Sequence, residues 1–158
     1  MKLQKCLLLI LIFGIITAAS VFSIDMRIGG SFGNPTLGVI FRVNRFDFRM
    51  GYDFTGWLTE YKDFLCISTD FRIIDQLHLV GPLHFYLGVG GYLLLPVEGG
   101  EGGNIFGVRA PVGLQLLFAE KKVEIFAEMT PTVDIAGDVE AFQHWQGWVG
   151  FTIKLPTK

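Results

Sequence analysis

The chain has 158 residues, enough for one domain and too few for two well-filled cores. Its net charge is only −2, which excludes an extended nucleic-acid surface, and its 51% apolar content with 15 Phe and 20 Gly favours strands over helices. The two cysteines form no disulfide framework: Cys6 lies in the amino-terminal leader, and Cys66 is the single thiol of the mature chain.

Residues 1–23 read as a secretory signal peptide. Lys2 and Lys5 supply the positive start, 7–16 the apolar core, and small residues offer cleavage after Ser20 or after Ser23. An uncleaved anchor is the alternative, because the apolar run continues to Ile24. Cys6 precedes the apolar core, opposite to the position of a lipoprotein's acylated cysteine. The rest, 24–158, holds no second long apolar run, so an exported chain of this kind can cross a membrane only as a closed barrel.

Eight period-2 segments follow in order. Segment 24–32 sets Ile24, Met26, Ile28 and Phe32 against Asp25, Arg27, Gly29 and Ser31. Segment 36–44 sets Leu37, Val39, Phe41 and Val43 against Gly38, Arg42 and Asn44. The clearest is 46–55, where Phe46, Phe48, Met50, Tyr52 and Phe54 oppose Asp47, Arg49, Gly51, Asp53 and Thr55. A helix would scatter those aromatics around its whole surface. Segments 65–73, 83–95, 106–118, 123–135 and 145–155 repeat the pattern. Connections at 44–45 and 119–122 are tight, while 56–63, 96–104 and 136–144 are longer and polar or glycine-rich, as in barrels with short periplasmic turns and long external loops. Two connections break this alternation: 33–35 is short for an external loop, and 75–82 is long for a turn. The expected fold is all-β: an eight-stranded antiparallel up-and-down transmembrane β-barrel after a cleaved signal peptide.

Alternation alone does not say which face is inside. The polar row carries Arg27, Arg42, Arg49, Arg72 and Arg109 but only one lysine, Lys154. A packed, ion-paired interior favours the planar guanidinium fork, whereas a solvated face favours lysine. Asp25, Asp47, Asp53, Asp70, Glu124, Glu128 and Asp134 nearly match these cations in number, as a closed charge network requires. Glycines such as Gly51, Gly88, Gly107, Gly113 and Gly150 fall on the same row and make room in a narrow lumen. The polar row is therefore expected inside and the apolar row against lipid. Phe41, Phe46 and Phe118 would form one aromatic girdle, and Phe32, Tyr52, Phe54, Trp57 and Trp145 the other.

The stretch Gly107-Val-Arg-Ala-Pro-Val-Gly-Leu-Gln-Leu-Leu-Phe118, followed by Val123-Glu-Ile-Phe-Ala-Glu-Met-Thr-Pro131, resembles the small OmpA-like barrels, and most of all the uncharacterised eight-stranded family common in spirochaetes. The resemblance implies that Arg109 and Glu128 pair inside the lumen, where they would serve as a gate if the barrel were a pore. It also implies insertion by the barrel assembly machinery, which commonly reads a terminal aromatic residue; this chain ends Phe151-Thr-Ile-Lys-Leu-Pro-Thr-Lys158. A host ligand at the external loops, such as a complement regulator or matrix protein, rests on the same resemblance.

The residues themselves point away from catalysis. A deacylase-type site needs His beside Ser near the outer rim, yet His144 neighbours Trp145 and Gln146, and only Ser31 and Ser68 remain in the mature part. His78, His84 and His144 lack metal-ligand spacing, so no metal and no cofactor are expected. Glu98 and Glu101 in their glycine-rich loop read as a flexible acidic segment before a Ca²⁺ site. The partners expected are outer-membrane lipid and a host or envelope protein at the loops, with no nucleic acid, for a monomer. Three functions stay open: a structural or surface-interaction barrel, a narrow pore for ions or small solutes, and a periplasmic lipocalin-like carrier with the apolar row inside.

Overall fold

The structure is a computed structural model and describes residues 24–34, 37–53, 64–97, 104–136 and 143–156. Nine strands run in order: β1 (Met26–Asn34), β2 (Leu37–Val43), β3 (Phe46–Asp53), β4 (Phe64–Val80), β5 (Leu83–Pro96), β6 (Ile105–Arg109), β7 (Val112–Phe118), β8 (Val123–Ala136) and β9 (Gln143–Lys154). Every pairing is antiparallel; most join chain neighbours, β5 also pairs with β7 and β6 with β8, and β9 returns to pair with β1. The sheet therefore closes on itself and leaves an up-and-down barrel.

The barrel has eight staves, because β6 and β7 share one. Both pair with β5 on one side and β8 on the other. The break falls at Ala110–Pro111, where proline has no N–H to give the ladder. The Pro111 carbonyl still accepts from Gly88 N at 2.8 Å, and inward–outward alternation continues unbroken from Arg109 to Gly113.

The connection expected at 75–82 is instead strand. β4 continues to Val80, leaving only Gly81 and Pro82 as the turn. Three register shifts between Arg72 and Val80 and the left-handed backbone of Gln76 (φ 53°) break the period-2 signal there. Gly33 and Asn34 likewise belong to β1, not to the connection after it. The short turns, the start of β1 and the end of β9 gather at one rim. Backbone bonds such as Leu155 N to Met26 O (2.7 Å) and Lys154 N to Lys122 O (2.7 Å) stitch that rim together.

The charges fall on one face. Outward large apolar side chains, from Phe41 and Tyr52 at 37% exposure to Val80 at 68%, cover the wall on all staves. Inward positions hold Arg27, Arg42, Arg49, Arg72 and Arg109, each no more than 3% exposed. Phe46 packs against Phe71 with tilted rings, centroids 5.0 Å apart, near the short-turn rim, while Phe32 and Trp145 are exposed toward the loop end. Phe54 and Trp57 of the expected loop-side girdle lie outside the described residues.

Candidate functional site: the charged lumen

The strand register dictates where the charges fall. Arg27 lies directly opposite Arg42, Arg42 opposite Asp47, and Asp47 opposite Asp70. Two of these cross-strand neighbours are like-charged, an arrangement that destabilises an isolated sheet. Neighbouring strands supply some opposite charges, and partners from more distant strands, Glu124 to Arg27 and Arg42 and Arg109 to Asp70, complete the balance, which the closed barrel makes possible.

Glu124 of β8 supplies the first resolution. It accepts from Arg42 Nη1 at 2.5 Å and lies 3.6 Å from Arg27 and 3.5 Å from Arg72. Asp47 is ringed by Arg42 Nε, Arg72 Nε at 3.0 Å and Arg49 Nη2 at 3.5 Å. Arg72 also reaches Asp75 (3.1 Å) and Gln115 Oε1 (2.8 Å), and its guanidinium sits 4.0 Å over the Tyr86 ring.

Glu128 is the second centre. Arg49 grips it bidentately at 2.7 and 2.6 Å, and Arg109 Nη2 donates at 3.0 Å. The hydroxyls of Tyr86 (2.7 Å) and Thr130 (2.8 Å) complete its shell. Arg109 in turn lies 3.0 Å from Asp70 and donates to Ser68 Oγ and Gln146 Oε1. Arg109 and Glu128 are thus paired, but within a cluster: parting them leaves Arg49 clamped on the same carboxylate.

Apolar rings line the spaces between these charges. Arg49 faces the Phe126 ring at 5.6 Å and the Trp148 ring at 6.0 Å, both buried with Ile40 and Tyr86. Glycine makes this packing feasible. A Cβ on Gly113 would come within 2.3 Å of the Tyr86 ring, and one on Gly107 within 2.3 Å of Tyr92. Each tyrosine thus lies across the glycine it pairs with on the next strand.

Toward the loops, the Tyr92 hydroxyl donates to Asp134, beside a cluster of Phe64, Cys66, Leu94 and Ile105. At the short-turn rim, Lys154 Nζ and Arg27 Nε meet Asp25 at 3.0 and 3.1 Å, and Arg27 Nη2 donates to Lys121 O at 2.7 Å. Partial burial pushes the Asp25 carboxyl up, but Lys154 and Arg27 outweigh it and hold it below its ordinary value. The Asp53 side chain lies outside the described residues.

Asp75, Tyr86, Gln115, Thr130 and Gln146 join this network beyond the charged residues expected in it; Tyr86, Gln115 and Gln146 stand on the polar rows of segments 83–95, 106–118 and 145–155. Four of the five fall in phase with inward neighbours, which is the signal that finds them. Among the described residues, no group of three or more His, Cys, Asp or Glu is placed to hold a metal. His78 and His84, apart in the spacing argument, are direct cross-strand partners, and their rings bond the turn carbonyls of Gly81 and Pro82. The His144 side chain lies outside the described residues.

No family model matches this chain, and no curated protein matches it. Among solved structures, the crystal structure of Neisserial surface protein A (NspA) aligns over 84% of this chain and 94% of its own, with a TM-score of 0.49 and 13% sequence identity.

Proposed function

We propose that this chain is an outer-membrane β-barrel with a closed lumen, serving a structural or surface-interaction role. The single observation that carries this reading is its inverted polarity: guanidinium and carboxylate groups buried inside, large apolar side chains exposed over the whole wall. In water, such a wall is disfavoured by about 25 cal/mol for each Å² of apolar surface. In a bilayer it is matched to its solvent, and the closed sheet leaves no open edge among the described strands. A lipocalin-like carrier needs the opposite arrangement, with the apolar row lining a cavity.

The lumen charges favour a plug over a pore. Glu124 and Asp47 each meet three guanidinium groups, and Glu128 meets two. An ion passing through would have to part several buried pairs at once, each costing several kcal/mol. On this reading residues 1–23 export the chain, the short turns face the periplasm, and a host or envelope protein is met at the opposite rim, where β3, β5 and β8 end.

Refolding into detergent micelles and vesicles tests the reading. Folded protein should need detergent or lipid, migrate differently on gels before and after boiling, and give no discrete conductance in a planar bilayer. Solubility without detergent would overturn the membrane assignment, and discrete conductance steps would overturn the plug.

A further inference from the structure

The β4–β5 hairpin sets two histidines face to face across its strands. His78 and His84 are directly opposite each other beside the Gly81–Pro82 turn, at the short-turn rim. A bulge makes this pairing. Ile74 pairs with Leu87, and the extra β4 residue between Ile74 and Leu77 sets His78 against His84 instead of Leu83. Directly opposite residues share a face of the sheet, so the two rings meet, edge to face, with centroids 5.3 Å apart. His84 is buried and His78 is exposed to solvent.

Each ring is tied down by one nitrogen. His78 Nε2 lies 3.1 Å from Gly81 O, and His84 Nδ1 lies 2.9 Å from Pro82 O. A carbonyl oxygen can only accept, so each of these nitrogens carries the hydrogen. In the neutral imidazole the other nitrogen then bears the lone pair: Nδ1 in His78 and Nε2 in His84. Metal-ligating histidines are held in this way, with one N–H on a backbone carbonyl to fix the tautomer and the ring plane.

We propose that His78 and His84 together bind a divalent transition metal of the zinc type, with water completing its coordination. The ring spacing supports this. With zinc about 2.05 Å from nitrogen, and so about 3.2 Å from each ring centre, two imidazoles held at the tetrahedral angle stand about 5.2 Å apart. The observed 5.3 Å matches that spacing. Imidazole donors suit zinc, copper and nickel, whereas calcium and magnesium take oxygen ligands. Two protein ligands fall short of the four of a structural zinc site, so binding here is reversible and the fold does not depend on it. The exposed His78 ring gives the metal its way in.

The experiment titrates zinc chloride into the untagged full chain refolded into detergent micelles. Calorimetry should give one zinc per chain, and the imidazole NMR signals of His78 and His84 should shift together. His78→Ala removes an exposed ring, so heat-modifiable migration should persist while zinc binding weakens about a hundredfold, the loss expected when two tethered ligands become one. His84→Ala should weaken binding equally, and His144→Ala, near the opposite rim at the start of β9, should bind as wild type. Zinc that leaves both ring signals in place, or binds His78→Ala as tightly as wild type, would overturn the proposal and leave the pair a clasp of the turn. One zinc per two chains, with a dimer by light scattering, would overturn it in favour of a site shared between copies. Failure to fold in micelles would count against the membrane reading and not against this site, and the same titration then uses protein folded without detergent.

Discussion

Removing the Glu128 carboxylate should be among the most damaging single changes in the barrel. Glu128 is 3% exposed and accepts from Arg49 twice, Arg109, Tyr86 and Thr130. Glu128→Ala strands two guanidinium groups in the lumen, and breaking a buried pair by deleting one partner costs about 3–5 kcal/mol. Neighbouring carboxylates can recover part of this, since Arg109 keeps Asp70 at 3.0 Å and Arg49 keeps Asp47 at 3.5 Å. The expected loss is therefore about 3 kcal/mol, the lower end of that range. The matched control is Glu120→Ala, whose pair with Lys122 at 3.7 Å is almost fully exposed and should change stability by less than about 0.5 kcal/mol. Reversible urea unfolding of vesicle-inserted protein measures both. A Glu128→Ala loss no larger than that of Glu120→Ala would refute the claim that the lumen charges hold the barrel together.

Three further expectations follow from single contacts. Gly113→Ala puts a methyl where the Tyr86 ring lies, so it should cost about 1–3 kcal/mol in urea unfolding; wild-type stability would show that the ring is not held across that glycine. Val89→Arg places a charge on the wall at mid-strand, 48% exposed, and should weaken vesicle insertion by about 2–4 kcal/mol; unchanged insertion would place this face outside the hydrocarbon. Asp25 has an ordinary value of 3.8 and is held lower in the folded barrel, so its clasp stabilises above that pH and fades as acid protonates the folded form. Asp25→Asn should then lose stability at neutral pH and converge with wild type in acid, and a gap that widens on acidification would contradict the assignment.

Much of this architecture was legible because one face of each strand repeats at period 2. Phe46 to Tyr52 gave β3 its orientation, and the arginine bias of the polar row gave the direction of the barrel wall. Polarity proved a weaker guide than phase inside the lumen. Ile40, Phe126 and Trp148 are apolar yet point inward, in step with Arg42, Glu124 and Gln146 on their own strands. They belong there because guanidinium faces need flat, unpolar neighbours as well as carboxylates. Beyond Arg72 even phase was lost, since bulges and the left-handed Gln76 shift the register that period-2 reasoning assumes. Asp75 therefore read as a turn residue although it holds Arg72 at 3.1 Å. The break at Pro111 was masked for the opposite reason: alternation runs through it, so one stave looks like one strand.

The most direct test of the central claim is the depth and polarity of the wall itself. Single cysteines at Val39, Val89, Val108 and Val149, with buried Cys66 left in place, carry spin labels in vesicle-inserted protein. Collision with oxygen, which concentrates in the bilayer, should exceed collision with a water-soluble nickel chelate at all four positions, and the reverse should hold at Ala119 in the short turn. Nickel access at the four wall positions equal to that at Ala119 would contradict the account.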